Sequence, residues 1–158
     1  MRKTLALAAA AATAACTGGS TAGPTYPDPG EPNDTPALAT PLALGTPVVA
    51  TIAGQDDRDH FRLDVPAGGA TVRVRTFDQT GASCDPVHRA VDTYLEVLDA
   101  GESPLLSCPF GSHPTPCDDS GLDRCEDVTV SLPEGAAYVR VSGYRPVPFV
   151  YVLDARAP

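Results

Sequence analysis

The sequence has no tryptophan, one lysine (Lys3) and one methionine (Met1). Cations are scarce altogether: 11 Lys and Arg stand against 20 Asp and Glu, for a formal net charge of -9. Phosphate backbones and anionic headgroups are held by clustered positive charge, so this balance excludes nucleic acid as a partner and excludes direct docking to lipid headgroups. Long apolar runs are also missing. The longest, Leu5 to Ala15, covers 11 residues, whereas a spanning helix needs roughly 20. With 17 prolines and 14 glycines in 158 residues, little of the chain is free to be helical. The length suits one domain.

What is present begins with Arg2 and Lys3, an alanine-rich apolar run, and small residues up to Cys16. A charged start, an apolar middle and a small-residue cut site predict a signal peptide over residues 1–15. Thr13-Ala14-Ala15-Cys16 resembles the bacterial lipobox, although Thr13 stands where that motif usually has Leu. The resemblance implies that Cys16 is lipidated and becomes the first mature residue. Ordinary cleavage, which leaves Cys16 a free thiol, is the alternative. Parity favours lipidation: of five cysteines, one anchors the chain and four remain to bridge. Loss of Arg2 and Lys3 leaves nine bases against 20 acids, or -11, and no lysine. Thr17 after the cysteine is similar to outer-membrane lipoproteins. Residues 16–30 hold Gly, Pro, Ser and Thr with one aromatic, too little apolar surface to order themselves, and they read as a tether.

From Val48 onward, apolar residues alternate. Phe61, Leu63 and Val65 share a face, as do Val72 and Val74, then Val128, Val130 and Leu132, then Phe149, Tyr151 and Leu153. Period-two patterning punctuated by Pro66-Ala67-Gly68-Gly69, Pro133-Glu134-Gly135 and Ser142-Gly143 predicts half-buried antiparallel strands. We expect about seven or eight of them in an all-β, single antiparallel β-sandwich of jelly-roll-like layout over residues 31–156. Only Pro36 to Leu44 has any helical character, and its prolines argue against a long helix.

Four segments occur in a fixed order. They are Glu31-Pro32-Asn33-Asp34, Asp56-Asp57-Arg58-Asp59-His60-Phe61, Asp92-Thr93-Tyr94-Leu95-Glu96-Val97, and Leu132-Pro133-Glu134-Gly135 leading to Tyr138-Val139-Arg140-Val141. Together they resemble the bacterial pre-peptidase C-terminal domain, a small β-sandwich found beside secreted proteases and related to clostridial collagen-binding domains. The resemblance spans about residues 28 to 154. A hard dication such as calcium takes 6 to 8 oxygen ligands, and two of these segments are rich in carboxylates and amides. In calcium-binding relatives those two segments meet, so the resemblance implies a calcium site from Glu31, Asn33, Asp34, Asp56 and Asp59, with the backbone of Thr51 as a possible addition. Turn formation is the plainer role for the same Asp and Asn residues. The tyrosine-rich collagen-binding surface is not carried over, because the sequence does not place Tyr94, Tyr138, Tyr144 and Tyr151 on one face.

Cys84, Cys108, Cys117 and Cys125 surround a long Gly-, Pro-, Ser- and Asp-rich connection. In an oxidising compartment two disulfides are the expected outcome, with Cys117–Cys125 and Cys84–Cys108 favoured among three connectivities. A zinc site from Cys108, His113, Cys117 and Cys125 is the rival, but its spacing matches no standard finger. No serine sits in a nucleophile elbow, and His60, His88 and His113 lie in no catalytic pattern. Arg73, Arg75 and Arg140 could form a cationic stripe on a sheet face, or simply be solvated. The sequence therefore predicts a non-catalytic, monomeric envelope lipoprotein of the outer membrane, secreted instead if Cys16 is not lipidated. Its calcium-stabilised module would bind an extracellular protein or polysaccharide and meet the membrane only through its anchor. A small secreted enzyme or protease inhibitor using the disulfide-tied loop is the alternative.

Overall fold

A computed structural model describes residues 28, 30–80, 91–106, 117–118 and 125–158. The signal segment, Cys16, Cys84, His88, Cys108 and His113 lie outside the described residues. Among those described there are nine strands: β1 (Thr40–Pro41), β2 (Val48–Ile52), β3 (Arg58–Val65), β4 (Ala70–Phe77), β5 (Thr93–Leu98), β6 (Cys117–Asp118), β7 (Asp127–Leu132), β8 (Gly135–Gly143) and β9 (Phe149–Arg156). They form two sheets, ordered β1-β3-β8-β5-β6 and β2-β9-β4-β7. Every pairing is antiparallel except β1 with β3. The two sheets face each other as a sandwich, the architecture the alternation implies.

The alternation works as expected inside each strand. In β3, Phe61, Leu63 and Val65 are buried while Arg62 and Asp64 are exposed. In β7, Val128, Val130 and Leu132 are buried while Thr129 and Ser131 are exposed. The inner faces meet around Phe61, Leu95, Val139, Tyr151 and Leu153, each fully buried. Removal of that apolar surface from water is the main force holding the sheets together. The stretch with helical character yields only a short 3-10 turn, Pro36–Leu38. Pro41 instead enters β1, at a sheet edge where its missing N–H leaves no ladder bond unmade.

A polar contact between threonines joins the sheets within the core. The Thr76 hydroxyl on β4 lies 2.8 Å from the Thr93 hydroxyl on β5, and it accepts a hydrogen bond from the Glu126 N–H at 2.8 Å. Thr76→Val preserves shape but strands the Glu126 donor, and we expect it to destabilise the fold by about 1–3 kcal/mol, measured by chemical denaturation.

Candidate metal centre

The period-two pattern of β3 puts an acid in the core. Asp59 is in phase with Phe61, Leu63 and Val65, and its residue is 0% exposed. From β9, the buried Tyr151 hydroxyl donates to Asp59 Oδ2 at 2.6 Å, while Asp59 Oδ1 is buried without a partner. Burial pushes the Asp59 carboxyl up to about 8, against the lowering effect of the Tyr151 bond, and neighbouring Asp57, Asp28 and Glu31 push the same way. Tyr151 is driven well above its ordinary value, first by burial and then by the Asp59 charge.

The segment from Asp28 to Asp34 folds over this end of the sandwich. Asp28 Oδ2 accepts from the Thr51 N–H at 2.6 Å, and its Oδ1 accepts from the Gly30 N–H at 3.0 Å. A Cβ at Gly30 would lie 3.0 Å from Thr40 Oγ1 and 3.2 Å from Asn33 Nδ2, so any larger residue would have to push these side chains aside. The Asn33 carbonyl accepts from the His60 N–H at 3.0 Å. Its side chain is 0% exposed, and both Oδ1 and Nδ2 are buried without a hydrogen-bond partner. Buried amide atoms are nearly always satisfied, so this orphaned pair beside acids calls for an explanation.

Two overlapping sets of carboxylates result. Oxygens of Asp28, Glu31 and Asp59 lie within 4.8 Å of one another, and so do those of Glu31, Asp34 and Asp57. Glu31 is common to both. Its pKa is raised by burial, and then by Asp57, Asp34 and Asp28 despite a lowering hydrogen bond from Asn33. Asp57 is likewise raised by burial, and then by Asp34 and Asp28 despite the Ala53 N–H it accepts. Repulsion of this kind is relieved by a cation. The two sets together hold five carboxylates joined through Glu31, hard oxygen donors of the kind calcium takes.

Of the residues the sequence proposes, Glu31, Asn33, Asp34 and Asp59 are brought together. Asp56 is not: it is exposed and belongs to neither set. Asp57 does belong to one, its carboxylate accepting from the Ala53 N–H with Oδ1 buried. Asp28, read from sequence as tether, is a missed member. Thr51 is adjacent, its N–H given to Asp28 and its hydroxyl buried without a partner. Tyr151 sits in the core beside Asp59, away from the partly exposed Tyr94 and Tyr138 on the other sheet.

No catalytic arrangement accompanies the cluster among the described residues. His60 is buried, its Nδ1 lying 3.2 Å from the Asn33 carbonyl and 3.3 Å from that of Arg58. Burial lowers its pKa, so the ring is neutral near pH 7. The arginines form no common stripe. Arg73 and Arg75 lie on the four-stranded sheet, paired with Asp127 and Asp154, and Arg140 lies on the other, paired with Glu96. A cavity of about 340 Å³ at the opposite end of β3 is lined largely by apolar residues such as Leu42, Leu44, Val65 and Leu132. Its charged residues, Arg62 and Asp64, are paired with each other. Cys117 and Cys125 are buried. No helix among the described residues is long and apolar enough to cross a membrane.

No family model matches the chain, and no curated protein matches it by sequence. Among solved structures it is similar to the pre-peptidase C-terminal domain of a collagenase from Bacillus anthracis, at 12% identity and a TM-score of 0.51, covering 84% of this chain and 100% of that one. A second similar structure is PliG from Aeromonas hydrophila, a periplasmic inhibitor of g-type lysozyme, at 16% identity and a TM-score of 0.45, covering 74% of this chain and 92% of that one. The fold is therefore that of a pre-peptidase C-terminal domain, as the four sequence segments imply.

Proposed function

We propose that this protein is a non-catalytic module of the bacterial cell envelope, carried on a lipid anchor, whose sandwich is closed at one end by calcium and binds an extracellular protein or polysaccharide. The observation that carries the reading is the orphaned, fully buried Asn33 amide, in the segment whose Glu31 shares a carboxylate set with Asp59, itself left with an unpartnered Oδ1. Glu31, Asn33, Asp34, Asp57 and Asp59 would hold the ion, with Asp28 either a ligand or the brace that ties the segment to β2 through Thr51. The cation would neutralise the acids and pin the start of the domain to β3. A calcium-dependent melting temperature in the purified protein tests this reading, and indifference to calcium overturns it.

The anchor and the bridges belong to the same reading. Cys16 is the lipidated residue, and Cys84, Cys108, Cys117 and Cys125 form two disulfides. The burial and bonded state of Cys117 and Cys125 support the second point. One intact-mass measurement on the membrane fraction checks both: we expect a diacylglyceryl-modified Cys16 and the loss of four hydrogens from the cysteines. Cys16→Ser should release the protein from membranes. Unchanged retention of that variant contradicts the anchor, and four reactive thiols contradict the bridges.

A further inference from the structure

The cavity at the end of β3 away from the carboxylates lies between the two sheets. Leu63 and Val65 from β3, Ala70 and Val72 from β4, and Leu132 from β7 are each in phase with the inward face of their strand, and all five line it. Leu42, Ala43 and Leu44 line it where the chain leaves β1, and Leu44 is 47% exposed. The volume is about 340 Å³. An apolar cavity of about 150 Å³ holds benzene, so this one, open at its mouth, has room for roughly eight to ten carbon atoms. None of the lining residues is aromatic, so no ring offers a stacking face and the walls suit an aliphatic chain.

The frame is set in advance. Pro66 and Ala70, the two ends of the β3–β4 turn, both line the cavity, and the turn between them is pinned to the end of β7. The Gly68 N–H donates to Glu134 Oε2 at 3.2 Å, and Gly69, at a φ of 79°, passes so close that a Cβ would lie 2.6 Å from the Leu132 carbonyl oxygen.

Polarity at the cavity narrows the ligand further. The side chains of Arg62 and Asp64 alternate onto the other face of β3 and pair there at 2.8 Å, which leaves no net charge. The Asp64 main chain is another matter. The His60 N–H donates to the Asn33 carbonyl and the Arg62 carbonyl accepts from the Leu42 N–H, both away from β8, so by alternation the Asp64 N–H and C=O face that side too. β1 ends at Pro41 before reaching them, and neither has a backbone partner among the described residues. One donor and one acceptor are left beside an apolar cavity. A neutral alcohol or amide can answer both, whereas a carboxylate answers only the donor and is repelled by a chain carrying -9.

We propose that this cavity binds a free, uncharged aliphatic molecule of roughly eight to ten carbons, its chain between the sheets and its hydroxyl or amide head at the Asp64 main chain. The site is separate from the carboxylate cluster, so the inference goes beyond the binding-module reading and does not depend on calcium.

The test uses purified, isotope-labelled Cys16→Ser protein, which carries no lipid of its own, in calcium and in chelator, with butanol, hexanol and octanol as probes. We expect octanol to shift the methyl groups of Leu63, Val65, Val72 and Leu132 and the Asp64 amide saturably, with a dissociation constant below about 1 mM. Each methylene added from butanol to octanol should tighten binding by about threefold to fourfold, as its transfer from water implies. Octanoate should bind at least about tenfold more weakly than octanol. Ala70→Phe and Ala43→Phe fill the cavity from different elements, and each should weaken octanol at least about tenfold. Ala43 is exposed and outside the strands, so its variant keeps the test open if Ala70→Phe fails to fold. Absence of saturable shifts at these methyls up to about 2 mM octanol overturns the proposal. Equal affinity for octanoate overturns the uncharged head, and affinity independent of chain length overturns the aliphatic occupant. Shifts at the same methyls that grow with protein concentration alone assign the cavity to a second copy, and shifts between the lipidated and Cys16→Ser proteins assign it to the protein's own anchor. Either result overturns a free ligand.

Discussion

Millimolar calcium is expected to raise the melting temperature of the purified protein above its value in chelator or in magnesium, and Asp59→Asn or Asn33→Ala is expected to remove the response. The two residues come from different segments, β3 and the turn before β1, so one shared site needs both. A ligand that binds only the folded state stabilises it according to how far its concentration exceeds the dissociation constant, by about 2.7 kcal/mol at a hundredfold excess. For a chain of this size that corresponds to roughly 5–10 °C. Magnesium should do less, since it is smaller, demands near-octahedral geometry and sheds its water reluctantly. Asp56→Asn is the internal control. Asp56 is exposed and outside both carboxylate sets, so its calcium response should match the wild type. A melting temperature indifferent to calcium contradicts the site, and loss of the response in Asp56→Asn contradicts the assignment of Asp57.

In chelator the protein is expected to lose stability as the pH rises from about 4 to about 8. The Asp59 carboxyl is raised from 3.8 to about 8 by burial and by the acids around it. Between those values the folded state holds a proton that the unfolded chain has released, so rising pH favours unfolding. Glu31 and Asp57, raised by burial and then by their neighbours, act in the same direction. Tyr151 keeps its proton throughout this range and donates it to Asp59, whereas His60, whose pKa burial lowers from 6.5, opposes the trend below about that value, where the unfolded chain takes up a proton that the folded ring resists. One proton over about four pH units amounts to an upper bound on the order of 5 kcal/mol, or at most about 10–20 °C of melting temperature. Asp59→Asn should flatten the profile and stabilise the chelated protein at pH 8. If its profile in chelator runs parallel to the wild type, Asp59 is not the titrating group. Calcium competes with the same proton, so its stabilising effect should grow with pH.

Much of this architecture is written in local alternation. The strands around Phe61, Val72, Val128 and Tyr151 can be read from period two because each residue's inward or outward direction follows from its neighbours. Which sheet a strand joins is not local, and for that reason the stripe of Arg73, Arg75 and Arg140 dissolves into two sheets. The same limit governs the site. Glu31, Asn33, Asp34 and Asp59 stand out as oxygen donors, and Asp59 could have been marked further as an acid in phase with a buried apolar face. Asp28 carries no such mark. It lies in a Gly- and Pro-rich stretch, and its role depends on a hydrogen bond to Thr51, 23 residues away. That Asp57 and not Asp56 belongs to a carboxylate set is a detail that two adjacent aspartates do not disclose.

Titration calorimetry of calcium into the purified, chelator-stripped protein tests the central claim most directly. The account requires saturable binding of one calcium ion per chain, weakened at least about tenfold in Asn33→Ala and in Asp59→Asn and unchanged in Asp56→Asn. Absence of saturable heat at millimolar calcium, or equal binding in all four proteins, would contradict it.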